Sequence, residues 1–181
     1  MTLYADREYR FLDTEADRQA LVHDMHRVRE AVIAIAEAMP PELHEVPRYH
    51  GWSLAAMLAH LHMIDNLALL QIKAALIGIS PAFSPALRDS LNDFAAKLFQ
   101  RRVVSTTIKG IRQNEKRLAE FIFTLPVEQF SKRVYHPSSN SYFTVERALQ
   151  AYFVFHWEEH LATLERGEDR PDEPSNAEGE Q

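Results

Sequence analysis

The residues best placed to do chemistry are two histidines near the C-terminus, in the stretch Tyr152-Phe153-Val154-Phe155-His156-Trp157-Glu158-Glu159-His160-Leu161. The stretch reads as helix. At ~100° per residue, positions i and i+4 lie ~40° apart, one turn above the other. Two imidazoles held that way can grip one metal ion from the same side. On the same step, Leu149, Tyr152, Phe153, His160 and Thr163 fall within ~60° of His156. That stripe is apolar and aromatic, so it is the face such a helix buries, and Glu158 falls roughly opposite. The histidines therefore point inward, where an imidazolium is costly and a neutral, metal-bound imidazole is not. On this helix alone, a pair of core histidines bonded to backbone or carboxylates fits as well as a metal grip.

The elements that must position this pair are helical. The chain has only five glycines among 181 residues, apolar residues recur mostly at helical spacing, and strand-like alternation is hard to find. The fold class expected is all-α. A first helix is expected over about Thr14 to Ala38, capped by Thr14 or Asp13. Its buried stripe is Leu21, Val22, Met25, Val28, Val32, Ile35 and Ala36, and Met39-Pro40-Pro41 ends it. His23 and His26, three apart on that helix, read as polar surface residues. Ser53 caps a second helix, Leu54 to about Ile77. There His60 shares a face with Ser53, Ala56, Met57, Met63, Ile64, Leu67 and Gln71, while His62 lies ~200° away. His60 is taken as the inward residue and His62 as partly exposed. A break follows at 78–85. Residues 86–100 are either a short extra helix or the start of a long third one. Residues 101–124 read as the third main helix, with Val103, Val104, Thr107, Ile108, Ile111, Leu118, Phe121 and Ile122 on its apolar side. Pro126 and the polar stretch 131–141 make the next connection, and Thr144 caps a fourth helix running to about Arg166. Residues 167–181 are acidic with nothing apolar to bury, and are expected to be a disordered tail on a single domain of residues 1–166.

Four main helices imply a four-helix bundle, a fold that builds metal sites from side chains on facing helices. One histidine would come from the second helix and two from the fourth. Composition narrows the rest. The net charge is -6 and the pI about 5.8, with no basic stripe for nucleic acid and no polybasic segment for an anionic membrane. The absence of cysteine excludes disulfides, cysteine-ligated zinc and iron–sulfur sites. The N-terminus lacks a signal-peptide layout, and no apolar run approaches the ~20 residues that cross a membrane, so the expected location is the cytoplasm.

Two segments carry a family resemblance. Trp52-Ser53-Leu54-Ala55-Ala56-Met57-Leu58-Ala59-His60-Leu61 resembles the second-helix signature of DinB-like (YfiT-like) proteins: a Trp-Ser start, then a histidine eight residues after the tryptophan. Thr144-Val145-Glu146-Arg147-Ala148-Leu149, followed by His156 and His160, resembles the family's last helix. The order and length of elements fit along residues 10–166. The resemblance implies a DinB/YfiT-like four-helix bundle of unusual connectivity, often homodimeric, and a divalent metal, commonly zinc or nickel. Carried over residue by residue, the ligands are His60, His156 and His160. Activities in the family include thiol S-transfer with low-molecular-weight thiols and mycothiol-dependent isomerisation. One departure is the long segment from Ser80 to Arg102, which leaves any substrate inference from the family open.

The chemistry of the residues agrees. Three neutral histidines leave a metal its full double charge and at least one open position, the layout of a catalytic rather than a structural zinc. Such an ion lowers the pKa of a bound water or thiol. The motif is not H-E-x-x-H, because Trp157 follows His156, so a metalloprotease base is missing. Glu159 is a candidate partner for a ligand histidine, or a surface salt bridge. Asp65, ~140° round from His60, is not counted as a ligand. Tyr152 reads as a core tyrosine on the site face, Trp52 as an anchor for its loop, and Tyr142 and Phe143 as walls of the site mouth. Two functions follow. One is a metal-dependent thiol S-transferase or hydrolase acting on a small molecule. The other is a non-catalytic bundle, stress-related or an interaction protein, with the metal structural or absent.

Overall fold

The computed structural model describes Tyr4 and residues 6–49, 51–82 and 98–166. Helix α1 spans Glu15–Ala38. Thr14 Oγ1 accepts the Asp17 N–H at 3.2 Å and the Asp17 carboxylate accepts the Thr14 N–H at 3.2 Å, a reciprocal capping box. Pro40 keeps Met39 extended and ends the helix. Helix α2 spans Leu54–Leu76 and is capped by Ser53, whose hydroxyl accepts from Ala56 N. Its C-terminus closes on Gly78, at φ +87, with Gly78 N donating to Ala75 O and Ile79 N to Ala74 O. That paired closure needs a left-handed residue, which glycine supplies without a Cβ clash. Helix α3 spans Val104–Thr124. Val103 precedes it and is exposed, not part of its apolar side.

The connection expected to be a plain polar loop contains an antiparallel hairpin. Strands β1 (Arg133–His136) and β2 (Ser141–Thr144) pair Val134 with Phe143 and Tyr135 with Tyr142, turning through Asn140 at φ 45. Val134, Tyr135 and Phe143 are buried under the last helix. Two four-residue strands are too short for alternation to show against the surrounding helical pattern. The last helix is in three parts: α4 (Val145–Gln150, capped by Thr144), a π-helical stretch Ala151–Phe155, and α5 (His156–Arg166). The short helix expected within 86–100 falls almost wholly in residues 83–97, and the expected acidic tail in 167–181; both lie outside the described residues.

Contacts between elements fix the arrangement. Helix α1 packs on α3 and α5, and α2 packs on α3 and the π-helical stretch. Helices α1 and α2, consecutive in sequence, therefore face each other across the bundle diagonal, and the segment 39–53 crosses one end to join them. By length and composition α2 could cross a membrane, contrary to the sequence count, but 61% of its most apolar window is buried inside the bundle. Helices α2 and α3 approach closely at Gly110, where a Cβ would stand 2.7 Å from the His62 ring.

At the centre of the diagonal lies a charge pair that the helical stripes did not include. Arg29 of α1 and Asp65 of α2 are both fully buried and joined at 2.9 Å. The second Asp65 oxygen accepts from Trp157 Nε1 at 2.9 Å. Arg29 Nη1 donates to Met25 O at 3.1 Å and to Phe153 O at 2.8 Å, and its guanidinium lies 4.4 Å from the Trp157 ring centroid. A buried charge without its partner keeps its desolvation cost and loses its compensation. Asp65→Ala is therefore expected to destabilise the protein by about 3–5 kcal/mol, a fall in Tm on the order of 6–20 °C for a domain of this size. Arg29→Met combined with Asp65→Asn, which leaves no lone charge and keeps an acceptor for Trp157, is expected to lose less than Asp65→Ala alone. Urea denaturation of the three proteins checks this, and equal losses would show that the pair's charge is not what matters.

Candidate metal centre

Three histidines meet where α2 faces the start of α5. His60 Nε2 lies 3.4 Å from His156 Nε2, and His160 Nε2 lies 3.1 Å from His156 Nε2. One ligand-capable atom from each of the three falls within 4.8 Å of the other two. The ring centroids are 4.7–5.3 Å apart, with the planes steeply inclined to one another. The structure thus brings together all three histidines singled out in the sequence. His62, by contrast, is only partly buried and turns toward α3 at Gly110. His23 is on the surface, and exposed His26 pairs with Glu115 at 2.9 Å.

The local fold explains how the rings are aimed. Ser53 starts α2 two turns before His60, and Trp52, just outside that cap, puts its ring edge-on to His60 at 5.1 Å. The chain at 98–102 holds the same cap, since Gln100 accepts from the Ser53 hydroxyl and from Ser53 N. In the last helix, His156 N donates to Ala151 O, five residues back. Such a turn takes in an extra residue and shifts the phase of everything beyond it. Leu149, Tyr152 and Phe153, expected on the buried face of this helix, are buried, and of the three Tyr152 lines the cavity beside the histidines. Arg29 bonds Phe153 O inside this stretch and Asp65 bonds Trp157 just beyond His156. The buried ion pair therefore fixes both sides of the first α5 histidine.

The electrostatics favour neutral rings. Burial, helped by neighbouring His160, pulls His60 down to about 3. Burial pulls His160 down to about 4. His156 is held well below the ordinary histidine range by burial first and then by His160 and His60. Each neutral imidazole carries one N–H, yet His60 Nδ1 and His156 Nδ1 are buried with no hydrogen-bond partner. With protons on Nδ1, two buried donors go unmet and three Nε2 lone pairs converge without a counter-charge. With protons on Nε2 of His60 and His160, both can share the His156 Nε2 lone pair, but the two Nδ1 atoms stay unmet. A cation between the Nε2 atoms removes the repulsion in the first arrangement. Nitrogens bound at ~2.1 Å to one ion sit roughly 3.0–3.4 Å apart at octahedral to tetrahedral angles, and the two measured separations fall in that interval. The residues fit a divalent metal.

Beside the triad lies a cavity of about 470 Å³, with His60 and His156 in its wall. Met63, Ile64, Leu67 and Gln71, read from sequence as the buried stripe of His60, are the α2 side of that cavity. Leu67 is half exposed, so this stripe faces a pocket and not the core. The opposite wall includes Tyr152 and His136. Tyr152 donates to Gln71 Oε1 at 3.1 Å, and Gln71 donates to Tyr135 O at 2.6 Å. Tyr142 and Phe143, expected at the site mouth, do not line the cavity; the hairpin offers His136, Pro137 and Ser138 instead. Sequence reasoning missed His136, which is buried and stacked on Phe143 at 4.7 Å. Its Nδ1 accepts from Ser139 N at 3.2 Å, so its proton sits on Nε2. A His-Pro turn between aromatic residues was the available signal. Glu159 does not orient a ligand histidine: its carboxylate accepts the Tyr4 hydroxyl at 2.8 Å. Asp65 stands outside the triad, as expected.

No protein-family model matches this chain, and no curated protein matches it. Among solved structures it is similar to YfiT from Bacillus subtilis, described as a probable metal-dependent hydrolase with an unusual four-helix bundle topology. The two share 21% sequence identity at a TM-score of 0.70, over 84% of this chain and 86% of that one. At that identity the likeness speaks for architecture, and it agrees with the diagonal placement of α1 and α2 described above: this chain has the YfiT-like four-helix-bundle fold.

Proposed function

We propose that this protein is a divalent-metal enzyme in which His60, His156 and His160 hold one ion through Nε2, and that it transfers a group from a small molecule to water or to a thiol. The observation that carries the reading is the convergence of three histidines, one buried and two partly buried, beside a cavity large enough for a small molecule. The description of YfiT as a probable metal-dependent hydrolase supports the same class. A divalent ion held there supplies Lewis acidity and lowers the pKa of a water or thiol at its remaining position. Zinc or nickel is the expected metal, since imidazole suits both.

The chain's own residues do the rest. The three histidines bring no charge, so the ion's double charge stays uncompensated by its ligands. No carboxylate among the described residues lines the cavity, which leaves general-base work to water or to the nucleophile's own ionisation. His136 stands in the cavity wall, its Nδ1 engaged by Ser139 N. The Tyr152 hydroxyl, already donating to Gln71, offers oxygen lone pairs as an acceptor. Burial raises the Tyr152 pKa well above the ordinary tyrosine range, so it stays protonated and does not act as a base.

Two measurements test this. Elemental mass spectrometry on protein purified without chelator is expected to give about one divalent ion per chain. His60→Ala and His156→Ala are expected to lose it, and His62→Ala to keep it. Retention in all three, or loss in all three, would contradict the assignment. The second is pH. The folded pKa values of His60 and His160 lie below the unfolded value of ~6.5, so between about 6.5 and 3 the unfolded chain binds more protons. Their contribution to stability is therefore complete above pH 6.5 and declines as the pH falls. Metal-free protein is expected to lose Tm between pH 7.5 and 5, with a shallower loss in His60→Gln. An identical pH slope in the variant would show that His60 is not held neutral by the fold.

A further inference from the structure

The cavity wall beside the histidines has a definite chemical character. Between His60 and the solvent, α2 contributes Met63, Ile64, Leu67, Leu70 and Ala74. Ile79, Pro81 and Pro137 also line the cavity. No lysine, arginine, aspartate or glutamate lines the cavity among the described residues. Besides His60 and His156 the polar groups are few: the Gln71–Tyr152 pair, His136, whose Nδ1 accepts from Ser139 N, Ser138, and Tyr4, with the Tyr4 hydroxyl turned to Glu159. Leu67 and Leu70 are 50% and 65% exposed, so apolar surface continues out to the rim.

Such a wall rewards apolar area at roughly 25 cal/mol per Å² removed from water and penalises any charge brought in without a partner. Among the described residues a carboxylated ligand would find no lysine or arginine on these walls to replace its hydration. A neutral ligand with one amide, ester or similar carbonyl finds apolar walls along its body and the Gln71–Tyr152 pair for its polar end.

We propose that the cavity takes an uncharged, largely apolar small molecule, bound with its polar end toward His60, His156 and the Gln71–Tyr152 pair. Calling that molecule the substrate rests on the metal-enzyme reading above; the binding preference itself does not. It narrows that reading, because a thiol bearing carboxylates would have to keep them outside this cavity.

The test compares a ligand pair of equal length and opposite character, octanamide and octanoate. Binding is followed by calorimetry or by protein NMR shifts, on the full chain, both metal-loaded and after chelation. In the chelated protein, where a carboxylate has no metal to coordinate, octanamide is expected to bind at least tenfold more tightly than octanoate. Ala74→Trp, which fills the cavity from a partly exposed position, is expected to weaken octanamide at least tenfold. Leu67→Lys, at a half-exposed site that tolerates lysine, is expected to narrow or reverse the preference. Circular dichroism checks that both variants fold. Octanoate binding as tightly as octanamide to the chelated wild type would overturn the proposal, as would octanamide binding untouched by Ala74→Trp. Octanamide binding to a protein that takes up no metal would uphold this inference while refuting the metal enzyme. Metal uptake without octanamide binding would do the reverse.

Discussion

A fully buried arginine and aspartate, Arg29 and Asp65, meet at the middle of the bundle, and the geometry of the histidine site descends from them. The pair joins two helices that barely touch otherwise, because α1 and α2 sit across the diagonal. Its remaining valences reach the third partner, the last helix, through Phe153 O and Trp157 Nε1. Charge pairs of this kind add little net stability compared with apolar packing of the same shape. What they impose is arrangement: any other rotation of the last helix would leave a charge or an indole N–H unmet in the core. The first anchor lies inside the π-helical stretch and the second just beyond His156, and the stretch sets the phase at which His156 and His160 emerge toward His60.

The triad is costly to build in the absence of a ligand. The Nε2 atoms of His60 and His160 lie 3.4 and 3.1 Å from that of His156, and burial suppresses protonation of all three rings. Local imperfections of this kind cluster where a protein binds something. The surroundings differ on the two sides. Toward the core lie Trp157 and the buried ion pair, fully enclosed. Toward α2 and the hairpin lies the cavity, with apolar walls and uncharged polar groups. One side holds the rings in place, and the other admits a molecule.

Much of this was legible in the sequence, for identifiable reasons. Helix caps at Thr14, Ser53 and Thr144 and the breaks at Met39-Pro40 and Gly78 are local signals, and the helices begin and end there. His60 was separated from His62 by face alone, and the structure keeps that separation. The failures were of a different sort. The His60 stripe was buried as expected at Ser53, Ala56 and Met57, while Met63, Ile64, Leu67 and Gln71 line a cavity, since periodicity marks an apolar face without telling core from cavity wall. Arg29 sits on the α1 stripe between Met25 and Val32, but apolar periodicity does not mark a buried charge, and its partner lies 36 residues away. The π-helical stretch has no reliable sequence mark and was read as ordinary helix. The hairpin, with buried Val134 and Phe143 and the cavity histidine His136, was hidden by its brevity.

The central claim is that His60, His156 and His160 bind one ion directly, and X-ray absorption at the metal edge of the loaded protein tests it most directly. For zinc, the account predicts three imidazole nitrogens at ~2.0–2.1 Å, with the multiple-scattering pattern of histidine, plus one or two light-atom ligands from solvent. His160→Ala should reduce the imidazole count by one. A first shell of carboxylate or solvent oxygens without imidazole scattering, or a spectrum unchanged in His160→Ala, would contradict it.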